Sequence, residues 1–253
     1  GHTGSVIHPD DHVVARALAT EAGEILRSLR AVTPVDELKA TGDAASHELL
    51  MRRLAELRPD DRVLSEESAA KAAGSATGRV WIVDPLDGTR EFGEPPRSDW
   101  AVHVALVVDG VPVVGAVALP GRDLTLATGT DLPAPVIPTD GARPRLLVSR
   151  TRPAAHAQEL AARIDAELVP LGSAGAKAMA VVLGEADVYA HSGGQYEWDS
   201  AAPVAVALAA GFHASRLDGT PLVYDQSDPW LPDLLVCRPD LAPAVLAACA
   251  ALN

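Results

Sequence analysis

Asp109-Gly110 separates two valine-rich runs, residues 100–108 and 111–119, and an Asp-Gly pair so placed is the strongest short-range signal for an antiparallel β-hairpin. A further strand is expected at 124–127, and Trp81-Ile82-Val83 reads as another upstream. Ahead of them, Val13, Val14, Ala17, Leu18, Ala22, Ile25, Leu26 and Leu29 recur at helical spacing over 10–30, with Asp10 or Asp11 as N-cap. A second helix is expected over 43–57, with Asp43 in its first turn, then a short strand at Val63-Leu64. The alanine-rich stretch between Ser68 and Val80 reads as an exposed connector.

Residues 132–144 hold four prolines and little periodicity. Such a segment reads as a linker and divides the chain into an α+β half, 1–142, and an α/β half, 143–253. In the second half, strands expected at 146–148, 168–171 and 187–190 alternate with helices at 153–164, 176–183 and 199–210, followed by a terminal helix at 242–252.

The balance of 21 Lys+Arg against 34 Asp+Glu gives a net charge of −13, which opposes binding to polymeric nucleic acid but not to a small phosphorylated metabolite. Cys237 and Cys249 lack metal-ligand spacing and are expected to be buried thiols. No apolar stretch approaches the length of a membrane span and no leader pattern is seen, so a cytoplasmic protein without membrane contact is expected, with Gly1 and His2 an expression remnant.

The chemistry concentrates in Asp84-Pro85-Leu86-Asp87-Gly88-Thr89. Pro85 fixes its own φ and pushes Asp84 towards extended backbone, so Asp84 and Asp87 converge across a tight bend. Two anionic oxygens so placed favour a hard cation, and the Leu86 carbonyl is a further oxygen ligand available inside the bend. Pro85 also occupies the position of the nucleophile in an Asp-x-Asp-Gly-Thr aspartyl-phosphate phosphatase, which argues against covalent catalysis of that kind. Glu66-Glu67 follows an apolar pair and can project towards the bend, although exposed glutamates are the norm. Asp199 in Trp198-Asp199-Ser200 stands at a helix start, where a capping carboxylate can turn one oxygen outward to a metal.

Gly172-Ser173-Ala174-Gly175-Ala176-Lys177 opens a helix with small residues and offers backbone N–H groups to an anion, although it lacks P-loop spacing. Lys177 is a candidate phosphate contact. His103, His191 and His213 have no partner at ligand spacing and receive no metal role. Tyr196, Trp198 and Trp230 suit either packing or stacking on a base.

In order, Asp43, Glu66-Glu67, Asp84-Pro85-Leu86-Asp87-Gly88-Thr89 and Trp198-Asp199-Ser200-Ala201-Ala202 resemble the pattern of the inositol monophosphatase superfamily over nearly the whole chain. Arg90-Glu91-Phe92, Gly172–Lys177 and Glu197-Trp198-Asp199 look like its 3′(2′),5′-bisphosphate nucleotidase branch, the CysQ type, while Gly193-Gly194-Gln195 and 213–219 look like actinobacterial members. Pro203 in place of a frequent Gly and Arg152 near a frequent His depart from the pattern.

The resemblance implies a layered αβαβα sandwich and a lithium-sensitive phosphatase holding two or three Mg2+ ions. One ion would be held by Glu66, Asp84 and the Leu86 carbonyl, a second by Asp84, Asp87 and Asp199, and a third near Glu66 and Asp43. It implies that Thr89, oriented by Asp43, positions the attacking water. Asp87, Gly88, Thr89 and Asp199 would contact the substrate phosphate, and Gly172, Ser173 and Lys177 the remainder of the substrate. The implied reaction is hydrolysis of 3′-phosphoadenosine 5′-phosphate to AMP, clearing a by-product of sulfate assimilation, by a monomer or homodimer. The alternatives are an inositol-1-phosphate or fructose-1,6-bisphosphate phosphatase, or a non-catalytic nucleotide-binding regulator.

Overall fold

The computed structural model describes residues 7–68 and 78–252. Two long helices, α1 (Asp11–Val32) and α2 (Leu38–Leu57), precede a five-stranded sheet of β1 (Arg62–Leu64), β2 (Arg79–Asp87), β3 (Ala101–Val108), β4 (Val111–Leu119) and β5 (Leu124–Ala127), with the four-residue α3 (Thr89–Phe92) after β2. The sheet order is β1-β2-β3-β4-β5, with β1 parallel to β2 and the rest antiparallel. Asp109 and Gly110 both take positive φ, 49° and 83°, as the expected hairpin turn requires.

The second sheet, ordered β7-β6-β8-β10-β9, is built from β6 (Arg145–Ser149), β7 (Glu167–Leu171), β8 (Val188–Tyr196), β9 (His213–Ser215) and β10 (Trp230–Cys237). Between and around these strands lie α4 (Ala157–Arg163), α5 (Ala174–Val182), α6 (Glu197–Ala209) and α7 (Ala242–Ala250).

The first sheet is covered on both faces, which explains why its strands read as continuous apolar runs rather than alternating ones. Trp81, Val83, Val102 and Val104 meet Leu18, Leu26 and Leu50 of α1 and α2, whereas Val80, Ile82, Ala105 and Val117 meet Met179 of α5 and Ala202 and Val206 of α6. Those helices rest in turn on Leu147, Tyr189, Leu234 and Val236 of the second sheet, and its far face packs Leu146, Val188 and Leu235 against Leu160 of α4 and Val245 of α7. The layers run helix, sheet, helix, sheet, helix, the expected αβαβα sandwich. Each fully buried leucine contributes about 1.5–3 kcal/mol, and the central helical layer joins the two sheets.

Several boundaries differ from the sequence expectation. Helix α2 begins at Leu38, so Asp43 lies in its second turn rather than its first. Gly42 lies within α2, where a Cβ would fall 2.6 Å from the Phe92 ring, so its smallness serves close packing. Helix α4 begins at Ala157 rather than Pro153, and α6 at Glu197, which makes Asp199 its third residue. Strand β8 continues through the glycines to Tyr196, and β9 and β10 were not anticipated. Cys237 is buried as expected, but Cys249 is only partly so. The alanine-rich connector expected between Ser68 and Val80 falls mostly outside the described residues. No helix among the described residues is long and apolar enough to cross a membrane.

Candidate active site

The β2–β3 pairing slips where β2 bends. Asp84 pairs with His103 and Asp87 with Ala101, so three steps on β2 span two on β3. In a regular strand residues three apart face opposite sides, and one extra residue returns Asp84 and Asp87 to the same side. The bend is pinned from α2, where the Ser46 hydroxyl donates to the Pro85 carbonyl at 2.6 Å, and the Leu86 N–H donates to Asp84 Oδ1 at 3.2 Å.

Asp199 arrives from the N-terminal turn of α6. Its Oδ2 accepts the Tyr196 N–H at 2.8 Å, and the carboxylate joins those of Asp84 and Asp87 in a group with ligand oxygens within 4.8 Å of one another. These three side chains form one wall of a cavity of about 430 Å³. Asp43, Glu66, Leu86, Gly88 and Thr89 line it too, together with Lys39, His47 and Trp198, which the sequence had not marked as lining it. The Thr89 hydroxyl donates to the Leu86 carbonyl at 3.2 Å, and no hydrogen bond joins it to Asp43.

Gly172, Ser173 and Lys177, expected at the substrate, use their polar groups on partners inside the protein. The Gly172 N–H donates to Asp99 Oδ2 at 2.7 Å. The Ser173 hydroxyl and the Gly175 N–H donate to Asp87 Oδ2, at 2.5 and 2.7 Å. Lys177 is 5% exposed, with its ammonium 3.2 Å from the Leu171 carbonyl and 5.5 Å from the Tyr189 ring centroid. The anion at the start of α5 is thus a carboxylate of the protein's own, that of Asp87.

His103, fully buried on β3, is the site residue that spacing did not reveal. Its Nε2 lies 3.0 Å from Asp87 Oδ2 and its Nδ1 2.9 Å from the Trp198 carbonyl. With an acceptor oxygen at each nitrogen the ring donates from both, as an imidazolium does. Burial would lower its pKa, but the charge and hydrogen bond of Asp87 raise it to about 9. The available signal was a lone polar side chain in the otherwise apolar run 101–108, which needs partners. Gly175 belongs to the same contact: a Cβ there would fall 2.2 Å from His103 Nε2.

The carboxylates divide according to their surroundings. Burial would raise Asp87, but His103, Ser173 and Gly175 draw it down to about 2. Burial raises Asp84 well above the usual carboxylate range, with Asp87 and Asp199 adding to it, and raises Asp199 to about 6. Burial, with Glu67 and Glu66 nearby, raises Asp43 as well. Asp84 and Asp199 lack the donors that satisfy Asp87, and so fit a cation. An oxygen-only donor set suits a hard divalent ion rather than zinc.

A sequence model described as the inositol monophosphatase family matches residues 10–249. The chain belongs to the inositol monophosphatase family. It is 48% identical to the 3′-phosphoadenosine 5′-phosphate phosphatase of Mycobacterium leprae, over 93% of this chain and 92% of that one. It is 30% identical to the 3′(2′),5′-bisphosphate nucleotidase CysQ of Escherichia coli K12, over 85% and 94% of the respective chains. Among solved structures, inositol monophosphatase II of Staphylococcus aureus matches with a TM-score of 0.78 at 22% identity, covering 94% of this chain and 95% of that one. CysQ of Bacteroides thetaiotaomicron matches with a TM-score of 0.76 at 26% identity, covering 91% and 98%. In this inositol monophosphatase family member, the family match spans both the β2 bend and the start of α6, the two segments that supply the carboxylate cluster.

Proposed function

We propose that this chain hydrolyses 3′-phosphoadenosine 5′-phosphate to AMP and phosphate with Mg2+ as cofactor. The convergence of Asp84, Asp87 and Asp199 beside a polar cavity carries the phosphatase reading. The name of the Mycobacterium leprae relative, at 48% identity over nearly the whole chain, supports the substrate.

Asp84, Asp87 and Asp199 would hold the metal, with Glu66 and the Leu86 carbonyl at the cavity wall for a second or third ion. When bound, Mg2+ supplies charge neutralisation to the phosphoryl oxygens and makes water a better nucleophile. The Thr89 hydroxyl donates its hydrogen bond to the Leu86 carbonyl, so its oxygen is left to accept a hydrogen bond from water. Asp43, more basic than an ordinary carboxylate, would take the water proton as the water oxygen bonds to phosphorus and the 3′ P–O bond breaks, the departing 3′-oxygen taking a proton from solvent to become the AMP hydroxyl. Gly88 and Thr89, at the start of α3, offer backbone N–H groups to the phosphate.

The test is phosphate release, with Mg2+ and then with EDTA, from 3′-phosphoadenosine 5′-phosphate, inositol 1-phosphate and fructose 1,6-bisphosphate side by side. A kcat/KM about tenfold higher for the nucleotide, a gap near 1.4 kcal/mol, supports the assignment. Equal or reversed preference transfers it to a sugar or inositol phosphate.

A further inference from the structure

Only two aromatic side chains among the described residues are exposed, and they stand together. Tyr196 is 47% and Trp230 46% exposed, while Phe92, Phe212, Trp81, Trp100, Trp198, Tyr189 and Tyr224 are all buried. Tyr196 and Trp230 are register partners on β8 and β10, and directly opposed residues project from the same face of a sheet.

This pair adjoins the carboxylate cluster. Tyr196 immediately precedes α6, and its backbone N–H is held by Asp199. One face of its ring is stacked on Trp198, with centroids 4.9 Å apart and planes 6° from parallel, and Trp198 lines the carboxylate cavity. Asp199, Trp198 and Tyr196 therefore form a series leading outward from the cavity. A ring tied by its backbone and backed by a second ring has little orientational freedom left to lose when a ligand covers its open face.

We propose that Tyr196, backed by Trp198 and flanked by Trp230, is the platform on which the purine base of the substrate stacks while its 3′-phosphate occupies the carboxylate cavity. The inference rests on the nucleotidase reading above and adds the residue that separates a nucleotide from an inositol or sugar phosphate. A purine has a π-face and gains from stacking on an aromatic side chain, whereas a saturated ring has none.

The experiment compares wild type, Tyr196→Ala and Tyr196→Phe, in the presence of Mg2+, on 3′-phosphoadenosine 5′-phosphate and inositol 1-phosphate, with calorimetric binding of AMP as an arm independent of turnover. Tyr196→Ala is expected to raise KM for the nucleotide about tenfold more than for inositol 1-phosphate and to weaken AMP about tenfold, near 1.4 kcal/mol, within the range of base stacking. Tyr196→Phe, which keeps the ring, is expected to restore both values. Equal changes on the two substrates, or unchanged AMP affinity in Tyr196→Ala, overturn the platform. A wild-type preference for inositol 1-phosphate overturns the nucleotidase reading itself, whereas a nucleotide preference undiminished in Tyr196→Ala overturns only the platform.

Discussion

His103 holds Asp87 to the first turn of α6: one ring nitrogen is 3.0 Å from the Asp87 carboxylate and the other 2.9 Å from the Trp198 carbonyl. With Ser173 and Gly175, three donors converge on Asp87 Oδ2, which leaves Oδ1 as the oxygen free to face the cavity. Partners behind a metal ligand typically matter 10–100-fold, so His103→Leu is expected to lower kcat/KM by about that factor at saturating Mg2+. A loss under about threefold would mean that Asp87 keeps its place without the imidazole.

Gly175→Ala attacks the same contact from the other side. The new methyl group would fall 2.2 Å from His103 Nε2 and 3.0 Å from Asp87 Oδ2, so one of them has to move. Overpacking of this kind costs about 1–3 kcal/mol, and urea unfolding should show it together with reduced turnover. Wild-type stability with reduced turnover would mean that the site gives way while the surrounding core does not.

The strands of the first sheet were legible because burial on both faces imposes unbroken apolar runs, and the Asp-Gly turn set their pairing. Asp84 and Asp87 were legible because Pro85 and Gly88 restrict the backbone locally. The interactions behind them were not, since they link β2 to the start of α5 across 86 residues of sequence and β3 to α6 across 95. Gly172–Lys177 shows the same limit: its donors were visible, but the carboxylates they meet, Asp99 and Asp87, come from distant segments. Strand β10 was hidden by Pro232, near which its register with β8 shifts.

Asp11 gives the fold a pH dependence away from the site. Its buried carboxylate receives Arg79 at 3.1 Å and Arg58 at 2.9 Å. Burial pushes it up, but Arg79, the His8 N–H and Arg58 prevail and hold it below its ordinary 3.8. A carboxylate depressed in the folded state contributes stability above its unfolded pKa and loses it as pH falls through the folded value. Asp11→Asn is expected to cost up to about 3 kcal/mol near pH 7, because Arg79 keeps Asp61 as a partner. The difference from wild type should shrink below about pH 4, as denaturant melts across pH would show. A difference that stays constant down to strong acid would assign the loss to packing rather than charge.

Asp84, Asp87 and Asp199 oppose one another without a cation, so the metal-free fold carries their repulsion. Removing one charge should relieve it: Asp84→Asn is expected to raise the metal-free Tm by at least about 2 °C, the effect of roughly 1 kcal/mol in a chain of this size. The same change should lower kcat/KM at least about 100-fold, since it removes one of the three carboxylates proposed to hold the metal. Mg2+ added to EDTA-treated wild type at about 100 times its Kd should stabilise the fold by about 2.7 kcal/mol, or roughly 5–10 °C in Tm. In Asp84→Asn that response should largely vanish. A variant that is stabilised when metal-free and still responds to Mg2+ as wild type does would move the principal metal position away from Asp84, towards Glu66 and Asp43, which line the same cavity.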